Sequence, residues 1–149
     1  MAVTGFLLTP FYHMSDEKRA SDTSPSVLIL YRYNHLFQER FDDLKKMFSG
    51  LRLYFSTVHK AKGLEADYVV VLSVVSGKYA FPSDVADDPS FDLFLAEKER
   101  FHYAEERRLF YVALTRSKNK VYLLTGRTRQ SEFIYELCRD EYKGLVELK

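Results

Sequence analysis

Short apolar runs recur along this chain and predict a set of buried strands. They lie at 26–32, 51–58, 67–74 and 120–125, and the third is rich in valine. Continuous apolar runs of this length are typical of parallel strands that are covered on both faces. A mainly parallel sheet is therefore expected, and a further short strand is predicted at 3–8.

The stretches between these runs predict helices. Asn34 can cap a helix whose apolar residues recur at helical spacing, namely Phe37, Phe41, Leu44 and Phe48. Two more helices are predicted at 93–114, with an interruption near Phe101, and at 131–139, where Cys138 is expected to be a buried thiol. Because strands and helices alternate, the sequence predicts an α/β domain with helices flanking the sheet.

Two polar stretches suggest how the chain is divided. Residues 10–25 show little apolar periodicity and are predicted to be a linker or mobile loop. Residues 76–91 carry glycine, prolines and aspartates, which predicts a long surface loop. The expected organisation is an N-terminal flank and linker at 1–25, followed by one domain at 26–149.

Composition narrows the class of protein. The chain has 149 residues, of which 46% are hydrophobic, so it can bury one sizeable core. No apolar run approaches the roughly 18 residues that span a bilayer, and the first residues lack a secretory signal. A single cysteine cannot form an internal disulfide. A cytoplasmic protein without membrane partners is predicted.

Charge is unevenly distributed, although the formal net charge is only +1. Acidic residues dominate from Asp84 to Glu106, whereas every charged residue from Arg107 to Arg129 is basic. The basic stretch fits either a surface that faces phosphates or a solvated helix face. His35 and His102 are expected at the surface, and no metal site is predicted.

Two stretches carry most of the candidate chemistry. They read Ser56-Thr-Val-His-Lys-Ala-Lys-Gly-Leu-Glu65 and Glu105-Glu-Arg-Arg-Leu-Phe-Tyr-Val-Ala-Leu-Thr-Arg-Ser117. In the first, Gly63 permits a tight turn, and Glu65 offers acceptors that suit a ribose hydroxyl. Taken alone, these residues would also fit an ordinary polar loop.

Two arginines are candidates for phosphate contacts. Arg116 ends a predicted helix on the stripe that contains Leu109 and Val112. Its guanidinium either caps that helix or reaches a phosphate held by a neighbouring domain. Arg32 ends the first buried strand, where a charge needs a partner or a path to solvent.

Aromatic residues near basic ones have two interpretations. Tyr103 with Arg107, and Tyr79 with Phe81, either pack in the core or stack on nucleic-acid bases. Core packing is the expectation for the first pair. The loop containing Tyr79 and Phe81 is expected to be exposed.

The two stretches resemble motifs V and VI of the superfamily-1 DNA helicases of the UvrD/Rep type. Leu30-Tyr-Arg-Tyr-Asn34 is similar to motif IV of the same family. The short interval between the motif IV-like and motif V-like segments resembles the helicase IV branch, as does Phe81-Pro82 before an acidic stretch. The resemblance implies a RecA-like fold of the P-loop NTPase type.

The resemblance also implies a role for each matching residue. It makes Arg116 an arginine finger and gives Arg32 a contact with the terminal phosphate of ATP, so that both face one cleft. The other implied contacts are Gly63, Glu65 and Lys62 with the nucleotide, and Thr57 and His59 with single-stranded DNA.

The chain contains no phosphate loop of the form G-x-x-x-x-G-K-S/T. The resemblance therefore implies the C-terminal motor domain of an ATP-dependent DNA helicase with a role in DNA repair. ATP and Mg²⁺ would be bound mainly by an N-terminal helicase domain of the same parent protein, and the isolated chain would be inactive. Single-stranded or partly duplex DNA would be the other partner.

Two other functions are weighed against this one. The alternative is a non-enzymatic, helicase-derived module that binds DNA or a protein. A nuclease would need clustered carboxylates and lysine around a metal, and the acidic stretch at 84–92 has the composition of a solvated loop instead.

Overall fold

Parallel strands and the helices around them make up the part of the chain that the computed structural model describes. The described residues are 9–19, 24–33, 41–78, 80–83, 103–126, 128–139, 142 and 145–147. The strands are β1 (Ser26–Tyr31), β2 (Arg52–Thr57), β3 (Ala66–Val71) and β4 (Ser117–Leu123). The helices are α1 (Thr9–Arg19), α2 (Phe41–Met47), α3 (Ala104–Leu114) and α4 (Glu132–Leu137), with a 3₁₀ turn at His59–Ala61.

The strands pair in the order β2-β1-β3-β4, and every pairing is parallel. This confirms the predicted α/β fold with a parallel sheet. Each of the four runs between 26 and 125 contains a strand, although β4 begins at Ser117, three residues earlier than predicted. Predictions that lie outside the described residues concern 3–8, Asn34, His35, Phe37, Tyr79, Phe101 and His102.

The central strand β1 is covered on both faces of the sheet. Leu28 and Leu30 belong to the core on one face, and Val27, Ile29 and Tyr31 belong to the core on the other. Successive side chains of a strand point to opposite faces, so both sets must be apolar. This is why β1 reads as a continuous apolar run rather than an alternating one.

The first face is covered by α3, α4 and the 3₁₀ turn. Its core contains an aromatic group in which Phe110 and Phe133 lie 4.9 Å apart and Phe81 meets Phe110 edge-on at 5.5 Å. Phe81 is fully buried, so the prediction that it is exposed was wrong. Tyr103 packs edge-on against Phe133, as expected for core packing.

The second face is covered by α1 and α2. Phe11 and Met14, three residues apart on α1, are buried, and Phe11 stacks on Phe48 at 5.2 Å. The prediction of a linker or mobile loop was therefore wrong for Thr9–Arg19. Two buried apolar residues anchor this otherwise polar helix, and so few anchors leave little periodicity in the sequence.

An ionic cluster joins α3 to α4. Arg107 donates to Glu132 at 3.0 Å and to Glu136 at 2.7 Å, and its guanidinium lies 5.0 Å from the centre of the Phe133 ring. Hydrogen bonds from Arg107 lower the pKa of Glu136. Arg107 therefore packs within the domain, which agrees with the structural interpretation of this residue.

Cys138 is exposed, so the prediction of a buried thiol was wrong. Helix α4 begins after Ser131, whose hydroxyl accepts from Ile134 N, and it ends at Leu137. Cys138 is the C-cap residue beyond the last helical turn, and it is exposed there although Ile134, one turn earlier, is buried. None of the helices in the described residues is long and apolar enough to cross a bilayer.

Asp67 ties the amino ends of β1 and β3 together. Its carboxylate accepts from the backbone N–H of Ser26 at 2.8 Å and from the Ser26 hydroxyl at 2.7 Å. In return, the Ser26 hydroxyl accepts from Asp67 N at 2.9 Å. The backbone and side-chain hydrogen bonds from Ser26 lower the pKa of Asp67 because they favour the ionised form.

We expect Asp67→Asn to destabilise the chain at pH 7, with a difference that narrows as the pH falls. The folded pKa of Asp67 is below its ordinary value of about 3.9. Its contribution to stability is therefore present above about pH 4 and is lost as the pH falls through the lower folded value. Urea unfolding between pH 2 and 7 measures this difference. The exposed Asp43 provides the control variant, Asp43→Asn, and an equal pH dependence for both variants would contradict the prediction.

Candidate nucleotide and nucleic-acid edges

Two groups of predicted site residues lie at opposite edges of the sheet. Arg32 directly follows β1 and Thr57 ends β2, so both lie at the carboxyl edge. Glu65 and Arg116 directly precede β3 and β4, so both lie at the amino edge.

A buried ion pair occupies the carboxyl edge. Glu106 Oε1 accepts from Arg32 Nε at 2.9 Å and from Arg32 Nη2 at 2.7 Å. Each side chain is only 7% exposed. Glu106 Oε2 accepts from the backbone N–H of Ser83 at 3.1 Å, so the carboxylate also holds the loop that follows Phe81. The charge of Arg32 is thereby compensated where water has little access.

The same arginine lies against His59. Arg32 Nη1 is 3.2 Å from His59 Nδ1 and 3.4 Å from Nε2. An atom almost equidistant from both ring nitrogens lies over the face of the imidazole, because in the ring plane the intervening carbon would block the approach. Nη1 of the guanidinium therefore lies over the imidazole face, and His59 itself is exposed.

Thr57 is buried and has a local structural role. Its hydroxyl accepts from the backbone N–H of Lys60 at 3.4 Å, which supports the 3₁₀ turn that carries His59. Of the two residues predicted to contact single-stranded DNA, His59 is thus at the surface and Thr57 is 8% exposed.

The amino edge brings together the other predicted residues. Ala66 and Ser117 are paired across β3 and β4, and Ala66 N donates to Arg116 O at 3.1 Å. Glu65 and Arg116 precede this pair and are therefore neighbours. Gly63 adopts a φ of 85°, in the left-handed region that favours glycine. Lys62, Gly63 and Glu65 are exposed in the chain segment that leads into β3.

The guanidinium of Arg116 folds back on its own helix. Arg116 Nε donates to Val112 O at 3.0 Å, and Nη2 donates to Thr115 Oγ1 at 3.1 Å. These bonds satisfy acceptors at the carboxyl end of α3, where a cation is also favoured by the helix dipole. In this conformation Arg116 is a helix cap.

Arg32 and Arg116 are not brought together in this structure. β1 has six residues, so its terminal Cα atoms are about 17 Å apart at about 3.3 Å per residue. Along α3, Glu106 holds one arginine and Val112 holds the other, which corresponds to about 9 Å of helix rise. The two guanidinium groups therefore bind different partners on different turns of α3.

Glu106 is the functional candidate that the sequence reasoning missed. The buried side of α3 is formed by Glu106, Leu109, Phe110 and Ala113. Of the predicted stripe, Leu109 is buried, whereas Val112 is only partly buried. Glu106 lies three residues before Leu109, which was a signal that it faces the core. Among the described residues, no group of three or more His, Cys, Asp or Glu side chains could hold a metal ion.

The motif strings and the parallel α/β sheet are the features expected of a helicase C-terminal domain. The sequence profile of the UvrD-like helicase C-terminal domain matches residues 7–128, and the chain belongs to that family. This confirms the family that the motifs predicted.

Several helicases are similar to this chain. It is 35% identical to DNA helicase IV of Escherichia coli over 108 residues, which cover 72% of the chain and 16% of the relative. It is 40% identical over 90 residues to the putative ATP-dependent DNA helicase YjcD of Bacillus subtilis, and the match covers 56% of the chain and 11% of that relative. It is 34% identical over 103 residues to ATP-dependent DNA helicase PcrA of Bacillus subtilis, and the match covers 62% of the chain and 12% of that relative. The chain spans less than a fifth of the length of each relative.

We expect Arg32→Met to lower the free energy of unfolding by about 3–5 kcal/mol, because it leaves the Glu106 carboxylate buried without its cation. The matched control is Arg108→Met on α3, whose ion pair with Glu105 lies at the surface. That substitution should lower the free energy of unfolding by less than about 1 kcal/mol. Urea unfolding followed by circular dichroism measures both values, and similar losses for the two variants would contradict the assignment.

Proposed function

We propose that this chain is the second motor domain of an ATP-dependent DNA helicase and completes an ATP site that it shares with another domain. The observation that carries the proposal is the adjacency of Glu65 and Arg116 at the amino edge of the sheet. A carboxylate that can accept from a ribose and a cation that can reach a phosphate are the groups needed to complete such a site.

At the proposed nucleotide edge, Arg116 is the arginine finger. Its present partners, Val112 O and Thr115 Oγ1, are exchangeable acceptors at a half-exposed helix end. A triphosphate brought to this edge would compete for the guanidinium with a much larger negative charge. Glu65 would then bind the ribose, while Lys62 and the Gly63 turn lie beside the phosphates.

The phosphate loop and the Mg²⁺ site are assigned to an N-terminal helicase domain of the same parent protein. Mg²⁺ would neutralise charge on the terminal phosphates when bound there. In this chain, Arg116 supplies the cation from the opposite side of the cleft. The proposal is supported by the absence of a G-x-x-x-x-G-K-S/T sequence from the chain.

The carboxyl edge is proposed as the single-stranded DNA contact. His59 is exposed there, and Thr57 supports the turn that carries it. Arg32 belongs to this edge by position, so we now assign it to the support of His59 rather than to the ATP phosphate. Helix α3 runs between the two edges and links Arg116 to Glu106. Closure of the nucleotide cleft at Arg116 would therefore be transmitted through α3 to the DNA contact.

We expect the isolated chain to show no ATP hydrolysis, since the groups that hold the triphosphate and Mg²⁺ lie elsewhere. The test compares the chain alone, the chain mixed with the separately produced N-terminal domain of E. coli DNA helicase IV, and a chimera in which this chain replaces the matching segment of that helicase. DNA-stimulated ATP hydrolysis should appear only when both domains are present. Turnover by the isolated chain would contradict the proposal, whereas DNA binding with no turnover in any combination would favour the non-enzymatic module.

We expect Arg116→Ala to reduce ATP hydrolysis by the chimera by about 10³-fold or more, as for other arginine fingers. Arg108→Ala is the matched control because Arg108 is an exposed arginine of the same helix. It should leave the rate within about twofold, as expected for an exposed ion pair that contributes little. Steady-state rates of ATP hydrolysis at saturating ATP and DNA measure the effect of each variant. Equal rates for the Arg116 variant and the unchanged chimera would exclude the finger role.

A further inference from the structure

Glu106 connects three separate segments of the chain at the proposed DNA edge. Its carboxylate holds Arg32 after β1 through two hydrogen bonds and holds Ser83 through a third. Nη1 of Arg32 in turn lies over the ring of His59, which follows β2. The order Glu106, Arg32, His59 leads from a buried carboxylate to an exposed imidazole.

The geometry of the pair restricts the orientation of the arginine. Two N–H groups on one edge of the guanidinium, Nε and Nη2, meet a single oxygen of Glu106, so that edge is directed at the carboxylate. The other Glu106 oxygen accepts from the backbone N–H of Ser83, which holds the carboxylate in turn. Glu106 therefore leaves Nη1 as the nitrogen that Arg32 presents to His59.

We propose that Glu106 is a positioning residue for the DNA contact: by orienting Arg32, it holds the His59 imidazole in the direction needed to meet single-stranded DNA. This inference rests on the proposed function of the carboxyl edge. An ion pair with a purely structural role would need only Arg32 and Glu106. Here the guanidinium of Arg32 also contacts His59, which is exposed.

The first test measures orientation without DNA. Glu106→Gln keeps the side-chain shape, but an amide has one acceptor oxygen and cannot satisfy both Arg32 and Ser83 as the carboxylate does. In the 149-residue chain, the NMR signals of Arg32 Nε–H and of the His59 ring should both shift. The control is Glu105→Gln, the adjacent but exposed carboxylate, which should leave both signals in place.

A second variant covers the case in which Glu106→Gln does not fold. Arg32→Lys keeps the positive charge beside Glu106 but has neither the planar fork nor the flat face of a guanidinium. The His59 ring signals should again shift. Unchanged His59 signals in a folded Glu106→Gln or Arg32→Lys variant would overturn the positioning role.

The second test asks whether orientation matters for DNA. Binding of a fluorescent oligothymidylate to the chain should weaken about tenfold in Glu106→Gln and change less than about twofold in Glu105→Gln. In a His59→Ala background, Glu106→Gln should add less than about twofold, because residues that act through one another are non-additive. An equal loss in both backgrounds would show that Glu106 supports the fold rather than His59.

The two tests separate failure of this inference from failure of the proposed function. If His59→Ala does not weaken binding, or if the unchanged chain does not bind the oligonucleotide, the assignment of the carboxyl edge to DNA is wrong. The NMR measurement still decides whether Glu106 positions Arg32 and His59.

Discussion

Parallel pairing of the strands is the constraint on which the arrangement of both candidate sites depends. When strands run in the same direction, residues that follow a strand gather at one edge of the sheet and residues that precede a strand gather at the other. Arg32 and Thr57 follow strands, whereas Glu65 and Arg116 precede them. The domain therefore has two polar edges separated by the length of an apolar sheet, and one helix, α3, reaches both.

The energetics of the two edges differ because their access to water differs. At the carboxyl edge, Arg32 and Glu106 are almost fully buried, so each charge depends on the other for compensation. At the amino edge, Arg116 is half-exposed, and its guanidinium donates to acceptors at the end of α3. A buried, fully paired arginine suits a fixed support, and a half-exposed arginine with local partners suits a group that must exchange them for a ligand.

Residues differ in the signal that their structural environment leaves in the sequence. Buried strands were located because both of their faces must be apolar, as Leu28 and Ile29 of β1 show. Helix α1 was missed because Phe11 and Met14 alone anchor it, and two residues do not make a periodic pattern. Cys138 and Phe81 were assigned the wrong exposure because a helix end and a loop path depend on neighbours that are distant in the chain.

The sequence by itself determined the family and the parallel α/β fold and supplied candidate site residues, because apolar runs and motif strings are local properties of the chain. Only the tertiary structure decided which of those residues meet. It placed Glu65 beside Arg116, paired Arg32 with Glu106, and put Arg32 at the edge of the sheet opposite to Arg116. The physical reason is that partners more than 50 residues apart in the chain are set by strand order and by the need to compensate a buried charge. Neither of these leaves a pattern in a short stretch of sequence.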